Sequence, residues 1–203
     1  MLLRGATMTI SHPVEKKRFS YADYLTWADD QRRELIHGEP VLMSPAPNRS
    51  HQTVLKKLGY QIETYLQGKT CELFLAPFDV RLGESGICDE CVFEVVQPDL
   101  LVVCNPSKLD EKGCFGAPDW IVEIISFSTA SRDHIVKREL YERFGVIEYW
   151  IVQPLDRLVM VYRLRPDGLY GRPDVYAEPD TVTVGIFPAL QIDLKQVFDS
   201  GVI

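Results

Sequence analysis

Apolar residues recur along this chain with two periods, and each change of period marks an element. The segment FSYADYLTWADDQ reads as a short helix opened by Ser20, a residue type suited to capping free N–H groups. RRELIHGEPVLMSP follows, with two strand-like pieces around HGEP, and reads as a hairpin. From Ser50, another capping residue, Val54, Leu55, Leu58, Ile62, Tyr65 and Leu66 keep helical spacing until Gly68. That pattern predicts a helix over residues 51–67. Three β-branched and apolar runs come next, CELFLAPFDVRL, PDLLVVC and DWIVEIIS, separated by turn material. A second helix is predicted from about Ser131 to Phe144, with Ile135, Val136, Leu140 and Phe144 as its apolar face and Gly145 as its stop. EYWIVQP is the next strand. RLVMVYRL, YAEPD and TVTVGIFPALQIDL add β-structure, and a short terminal helix begins near Asp193.

The helix between DWIVEIIS and EYWIVQP implies that these strands run parallel, because antiparallel neighbours need only a turn. The fold class is therefore α/β, a mixed central sheet flanked by helices, with an N-terminal β-hairpin and C-terminal β additions. A length of 203 residues suits one domain, assigned to 18–203, preceded by a flexible extension over 1–17 that contains a second methionine, Met8. With 46% hydrophobic and 25% charged residues, the chain can bury a core without disulfides. No apolar run is long enough to span a bilayer, and the N-terminus lacks the apolar stretch of a secretory signal, so a cytoplasmic protein is expected.

The five cysteines form no compact framework. Cys88 and Cys91 have CxxC spacing, but no second CxxC or HxxxH follows, and Cys104 and Cys114 stand alone. Unpaired thiols in a reducing compartment are the expectation, with a zinc or redox site as the weaker reading. A net charge of −7 argues against a protein that coats nucleic acid, yet not against an enzyme acting on it.

Two carboxylates do not fit their surroundings. Glu123 interrupts the apolar run IVEIIS, and burying it costs several kcal/mol unless it is paired or binds a cation. Asp99 opens the apolar strand in QPDLLVV. Taken singly, a strand-edge glutamate and a turn aspartate after Pro98 explain them as well. Together, on adjacent central strands, they bring two like charges close enough to call for a divalent cation, and hard oxygens suit Mg²⁺ or Mn²⁺ better than zinc. In the next helix Asp133 and Lys137 are four apart and share a face, with Arg132 and Arg138 nearby. Either this is an exposed ion pair of little worth, or Lys137 stands beside the carboxylates to stabilise charge on a phosphate, held there by Asp133.

The passage APDWIVEIISFSTASRDHIVKRELYERFGVIEYWIVQP resembles the signature of the Uma-type restriction endonuclease family, which carries the PD-(D/E)XK nuclease fold. ELIHGEPVLMSPAPNRSHQTVLKKL, LAPFDVRL and QPDLLVV match further pieces, and the likeness covers roughly residues 20–198. It implies a core of helix, three-stranded meander, crossover helix and final strand. It also implies that Asp99 and Glu123 fill the acidic positions. Ile125 occupies the position where the superfamily has its lysine, and Lys137 on the following helix matches the family's relocated lysine. Glu34 matches an acidic position beside such sites, as a metal ligand, a supporting group or a plain hairpin charge. Asp79, placed in the strand preceding Asp99, ranks above His51 as a further candidate.

The resemblance thus implies Mg²⁺- or Mn²⁺-dependent hydrolysis of DNA phosphodiester bonds, with the metal on Asp99, Glu123 and the carbonyl of Ile124. The alternative is a nuclease-fold interaction protein without turnover, which Ile125 and the acidic charge favour. Self-association as a homodimer is expected, with RLVMVYRL as a possible exposed edge.

Overall fold

The computed structural model describes residues 17–43, 48–84, 86–125 and 132–199, the last segment without the Arg132 side chain. All but Lys17 of the expected N-terminal extension lies outside these residues. The N-terminal half comprises α1 (Tyr21–Tyr24), β1 (Arg33–Ile36), β2 (Glu39–Leu42), α2 (Arg49–Leu66), β3 (Glu72–Leu75), β4 (Val80–Arg81), β5 (Val95–Val96) and β6 (Leu100–Val103). There follow β7 (Leu109–Asp110), β8 (Gly113–Phe115), β9 (Trp120–Ile124), a π-helical turn at Arg132–Lys137 that runs into α3 (Arg138–Phe144), and β10 (Glu148–Gln153). The chain continues through β11 (Leu158–Arg163), β12 (Asp174–Ala177), β13 (Thr181–Thr183), β14 (Gln191–Asp193) and α4 (Leu194–Phe198).

The central sheet has the order β12-β11-β10-β9-β6-β3. Strands β3, β6 and β9 form an antiparallel meander, and the α3 crossover returns the chain to β10, parallel to β9 with Glu123 beside Ile151. Helix, meander, crossover and strand thus appear in the expected order. The parallel pairing follows from the helical connection, and its two strands are buried on both faces.

A second six-stranded sheet, β2-β1-β5-β4-β8-β7, was not expected as a separate body. It arises because CELFLAPFDVRL is not one strand. Its first half is β3 and its second half β4, in different sheets, with Pro77, which has no N–H to donate, between them. Asp79 therefore sits in a connection rather than in a strand.

One core packs α2, α4 and the β13–β14 hairpin on the central sheet through Leu58, Ile62, Trp120, Val122, Trp150 and Ile192. Trp120 and Trp150 meet edge to face at 4.8 Å. The other core lies between the opposite face, α3 and the second sheet, around Val80, Leu101, Ile121, Leu140 and Tyr149. The strand period of two assigns alternate residues of β9 to the two cores, which is how Glu123 comes to face α3.

Local chemistry adjusts several boundaries. The first helix is one turn, closed by a reciprocal capping pair between Ser20 and Asp23. Helix α2 starts two residues before the expected position, and its cap is Asn48, whose side chain accepts from the His51 N–H, rather than Ser50. Gly145 closes α3 in the left-handed region at φ 81°, which glycine adopts without strain. Asp193 caps α4. Strand β11 is covered by β12, so the edge considered for self-association is not open. Among the described residues no helix is long and apolar enough to cross a membrane.

Candidate active site

Glu123 lies on β9 with its side chain turned toward α3, and it is buried. Lys137 closes the π-helical turn, and its ammonium donates to Glu123 Oε1 at 2.8 Å. The same ammonium is 2.8 Å from Oε1 of Glu34, which β1 of the second sheet carries in, and 3.8 Å from Oδ1 of Asp133. Tyr141, four residues beyond Lys137, donates its hydroxyl to Glu123 Oε1 at 2.8 Å. Asp133, Lys137 and Tyr141 thus stack on one inward polar face, while Ile135, expected to point inward, is 57% exposed.

Three carboxylates, Glu123, Glu34 and Asp133, surround the one ammonium. Burial above all pushes the Glu123 carboxyl well above the usual range; Lys137 pulls it back, while Asp133, Asp99 and Glu34 push it further up. Burial works against the Lys137 charge, but Glu123, Glu34 and Asp133 outweigh it, and the ammonium is held well above its ordinary pKa. The lysine therefore stays charged. Burial, and then Glu123, raise the Tyr141 hydroxyl, which remains a donor.

Asp99 stands at the open end of this cluster. Continuing the β6–β9 register by one residue sets it opposite Glu123. Its Oδ2 accepts the main-chain N–H of Ile124 at 2.8 Å and lies 3.1 Å from Nε2 of His51 at the start of α2. His51 Nδ1 is buried without a hydrogen-bond partner among the described residues. Lys137 and Tyr141 both use Oε1 of Glu123.

His51 therefore touches Asp99 directly, whereas Asp79, ranked above it from the sequence, does not. Asp79 accepts from Gln97 Nε2 at 2.7 Å and from the hydroxyls of Tyr21 and Tyr24 at 3.3 and 3.5 Å. Burial raises its pKa despite these three donors and the nearby Arg81. Its link to the site runs through Gln97, whose main-chain N–H donates to Glu34 Oε1 at 3.0 Å. Gln97 and Tyr141 are the contacts that the sequence reading missed. Tyr141 was recoverable from its spacing after Lys137. Nothing local marks Gln97 except its place before Pro98 and Asp99. Of the flanking arginines, Arg138 pairs with Glu139 and Glu142 on the outer side, and the Arg132 side chain lies outside the described residues.

The donor set has the chemistry for a hard divalent cation. Asp99, Glu123 and the Ile124 carbonyl offer oxygens only, beside the further carboxylates Glu34 and Asp133. Among the described residues no three His, Cys, Asp or Glu side chains converge as a ready cage. Ile125 packs half-buried against the core beside α3, so the strand offers no cation of its own.

The cysteines depart from expectation in one respect. The β3–β6 register sets Cys71 opposite Cys104, and the two are joined as a disulfide rather than left as thiols. Cys88 and Cys91 remain exposed thiols with sulfurs 2.9 Å apart, and Cys114 is a buried thiol.

Comparison with known proteins completes the description. The model of the Uma2 family, described as "Putative restriction endonuclease", matches residues 21–195. An uncharacterized protein of Synechocystis sp., slr1290, is 23% identical over 154 residues, covering 74% of this chain and 77% of its own. A crystal structure of "a putative nuclease belonging to DUF820" from Anabaena variabilis superposes with a TM-score of 0.71 at 20% identity, covering 90% of this chain and 98% of that one. At that identity the likeness establishes the fold.

Proposed function

The chain belongs to the Uma2 family, and from that premise we propose that it is a metal-dependent endonuclease that hydrolyses phosphodiester bonds in DNA. The observation that carries the proposal is the Lys137 ammonium fixed between Glu123 and Glu34, at 2.8 Å from each, beside a strand whose own lysine position holds Ile125. A buried ion pair of this kind is a poor stabilising device, because desolvation offsets most of the attraction. Its presence is better explained by what it does to a ligand.

Asp99, Glu123 and the Ile124 carbonyl would hold Mg²⁺ or Mn²⁺. When bound, the ion supplies Lewis acidity at the phosphate and makes water a better nucleophile at neutral pH. Lys137, kept charged by its carboxylates, neutralises the negative charge that grows on the phosphate oxygens and orients the attacking water. Glu34 and Asp133 hold that ammonium in place, and Tyr141 fixes the rotamer of Glu123 by occupying Oε1, so that Oε2 faces the ligand. His51 braces Asp99 from α2. The same reading assigns the protein to the cytoplasm and to a homodimer, since cutting both strands of a duplex needs two sites.

Isothermal titration of Mn²⁺ and Mg²⁺ into wild type and Glu123→Gln, beside a plasmid-nicking assay, tests the proposal. Wild type should bind metal and nick, and the variant should lose at least tenfold in metal affinity together with nicking. Metal binding without nicking on any DNA form would leave a nuclease-fold binding protein. No metal binding by wild type would end the proposal.

A further inference from the structure

We propose that Arg32 is a phosphate-binding residue, taking a backbone phosphate next to the scissile one; this rests on the nuclease reading above and names a contact to its substrate.

The geometry begins in the β1–β2 hairpin. The Met43 N–H donates to the Arg32 carbonyl at 3.1 Å, which extends the β1–β2 pairing by one residue beyond Arg33. Arg32 is therefore in extended chain and shares a strand face with Glu34, two residues on, at a separation of roughly 7 Å along the strand. Glu34 is the buried carboxylate on Lys137, while Arg32 is exposed. One residue thus reaches into the site and the next on that face stands at its rim.

Gln97 fixes the guanidinium there. Its Oε1 accepts from Arg32 Nε at 3.1 Å and from Nη2 at 2.7 Å. Gln97 is itself buried, and its main-chain N–H holds Glu34 while its Nε2 is taken by Asp79 and Tyr24. The amide is tied on three sides, so the arginine is aimed rather than merely tethered.

The contrast with Arg33 shows what this achieves. Arg33, on the opposite strand face, is neutralised by Asp29 through contacts of 2.5 and 2.6 Å and lies over the Trp27 ring. Arg32 has only a neutral amide as partner and makes no ion pair among the described residues. Two of its five N–H donors are used, which leaves three for a ligand. A fork of N–H groups matches two phosphate oxygens. In a chain of net charge −7 whose site is built of carboxylates, a polyanion needs such an unneutralised cation at the entrance.

The test is fluorescence anisotropy with a fluorescein-labelled DNA duplex across a salt series, without divalent metal, for wild type, Arg32→Gln, Arg32→Lys and Arg172→Gln, an exposed arginine elsewhere. Arg32→Gln should bind about tenfold more weakly, with the slope of log K against log salt reduced by about one. Arg32→Lys should keep the slope while losing part of the affinity, and Arg172→Gln should match wild type. In nicking assays the Arg32→Gln loss should fall on KM more than on kcat. If Arg32→Gln binds as wild type does, or weakens only with a large loss of Tm, the proposal is overturned and the nuclease reading stands. If wild type neither binds nor nicks DNA, the nuclease reading falls and takes the Arg32 proposal with it.

Discussion

Replacing Lys137 by methionine keeps most of the unbranched apolar stem and deletes the ammonium with its hydrogen bonds. Glu123, Glu34 and Asp133 then lose their shared cation within a pocket where the lysine is 4% exposed, Glu34 1% and Glu123 6%. Removing one partner of a buried ion pair costs about 3–5 kcal/mol, because the remaining charge is stranded. For a chain of this size that is a fall in Tm of roughly 6–20 °C. The loss should depend on pH in a defined direction. Glu123 already has a folded pKa above its unfolded value even with Lys137 pulling it down. Without Lys137 that gap widens, at about 1.36 kcal/mol for each pH unit. Stability held by the Glu123 proton is present below the unfolded pKa and is lost as pH rises through the folded one. The deficit relative to wild type should therefore be largest at pH 8 and shrink toward pH 5. Urea unfolding of both proteins in chelator, at several pH values, measures it. A deficit under about 1 kcal/mol at pH 8, or one that grows on acidification, refutes the reading of Lys137 as the cation that neutralises this pocket.

Two further outcomes follow from neighbouring groups. Tyr141→Phe removes the hydroxyl from Glu123 Oε1 and leaves Lys137 in place, so urea unfolding should show a loss of about 1.5–3 kcal/mol, and nicking should fall less than in Glu123→Gln. Burial pushes the Cys114 thiol up to about 12, against the lowering pull of Lys108 and Arg81, so at pH 8 about one molecule in ten thousand is thiolate. Native alkylation followed by peptide mass mapping should therefore mark Cys88 and Cys91, reach Cys114 only after unfolding, and reach Cys71 and Cys104 only after reduction. Rapid native labelling of Cys114 would contradict its buried placement.

What the sequence revealed and what it hid follow from how each contact is made. Glu123 was legible because a carboxylate in IVEIIS breaks a strand pattern within a few residues, and the parallel β9–β10 pair because its helical connection is itself in the sequence. Asp133 and Lys137 were legible as an i,i+4 pair. Glu34 was marked only through the family resemblance and Gln97 not at all, because both contacts depend on the second sheet bringing β1 and the segment before Asp99 against α3. The split of CELFLAPFDVRL was hidden for a related reason. Both halves are good strand sequence, and only the sheet each joins tells them apart.

The misjudged helix face is the most instructive difference. Hydrophobic periodicity locates the side of a helix that faces the core only if the core there is apolar. Where a helix borders a charged pocket, the inward residues are Asp133, Lys137 and Tyr141, and an isoleucine is left outside. The winding matters as well. A π-helical turn over Arg132–Lys137 takes about one more residue per hydrogen-bonded turn than an α-helix, so a 3.6-residue period laid across it drifts out of phase with the true inward face. Such turns collect at functional sites, and here the turn ends on Lys137, the residue that must reach back to β9. The departure from regular winding and the polar inward face are therefore two aspects of one requirement. On the proposed role of Lys137, a lysine absent from the strand is delivered from the helix, and the helix gives up both its period and its apolar face to deliver it.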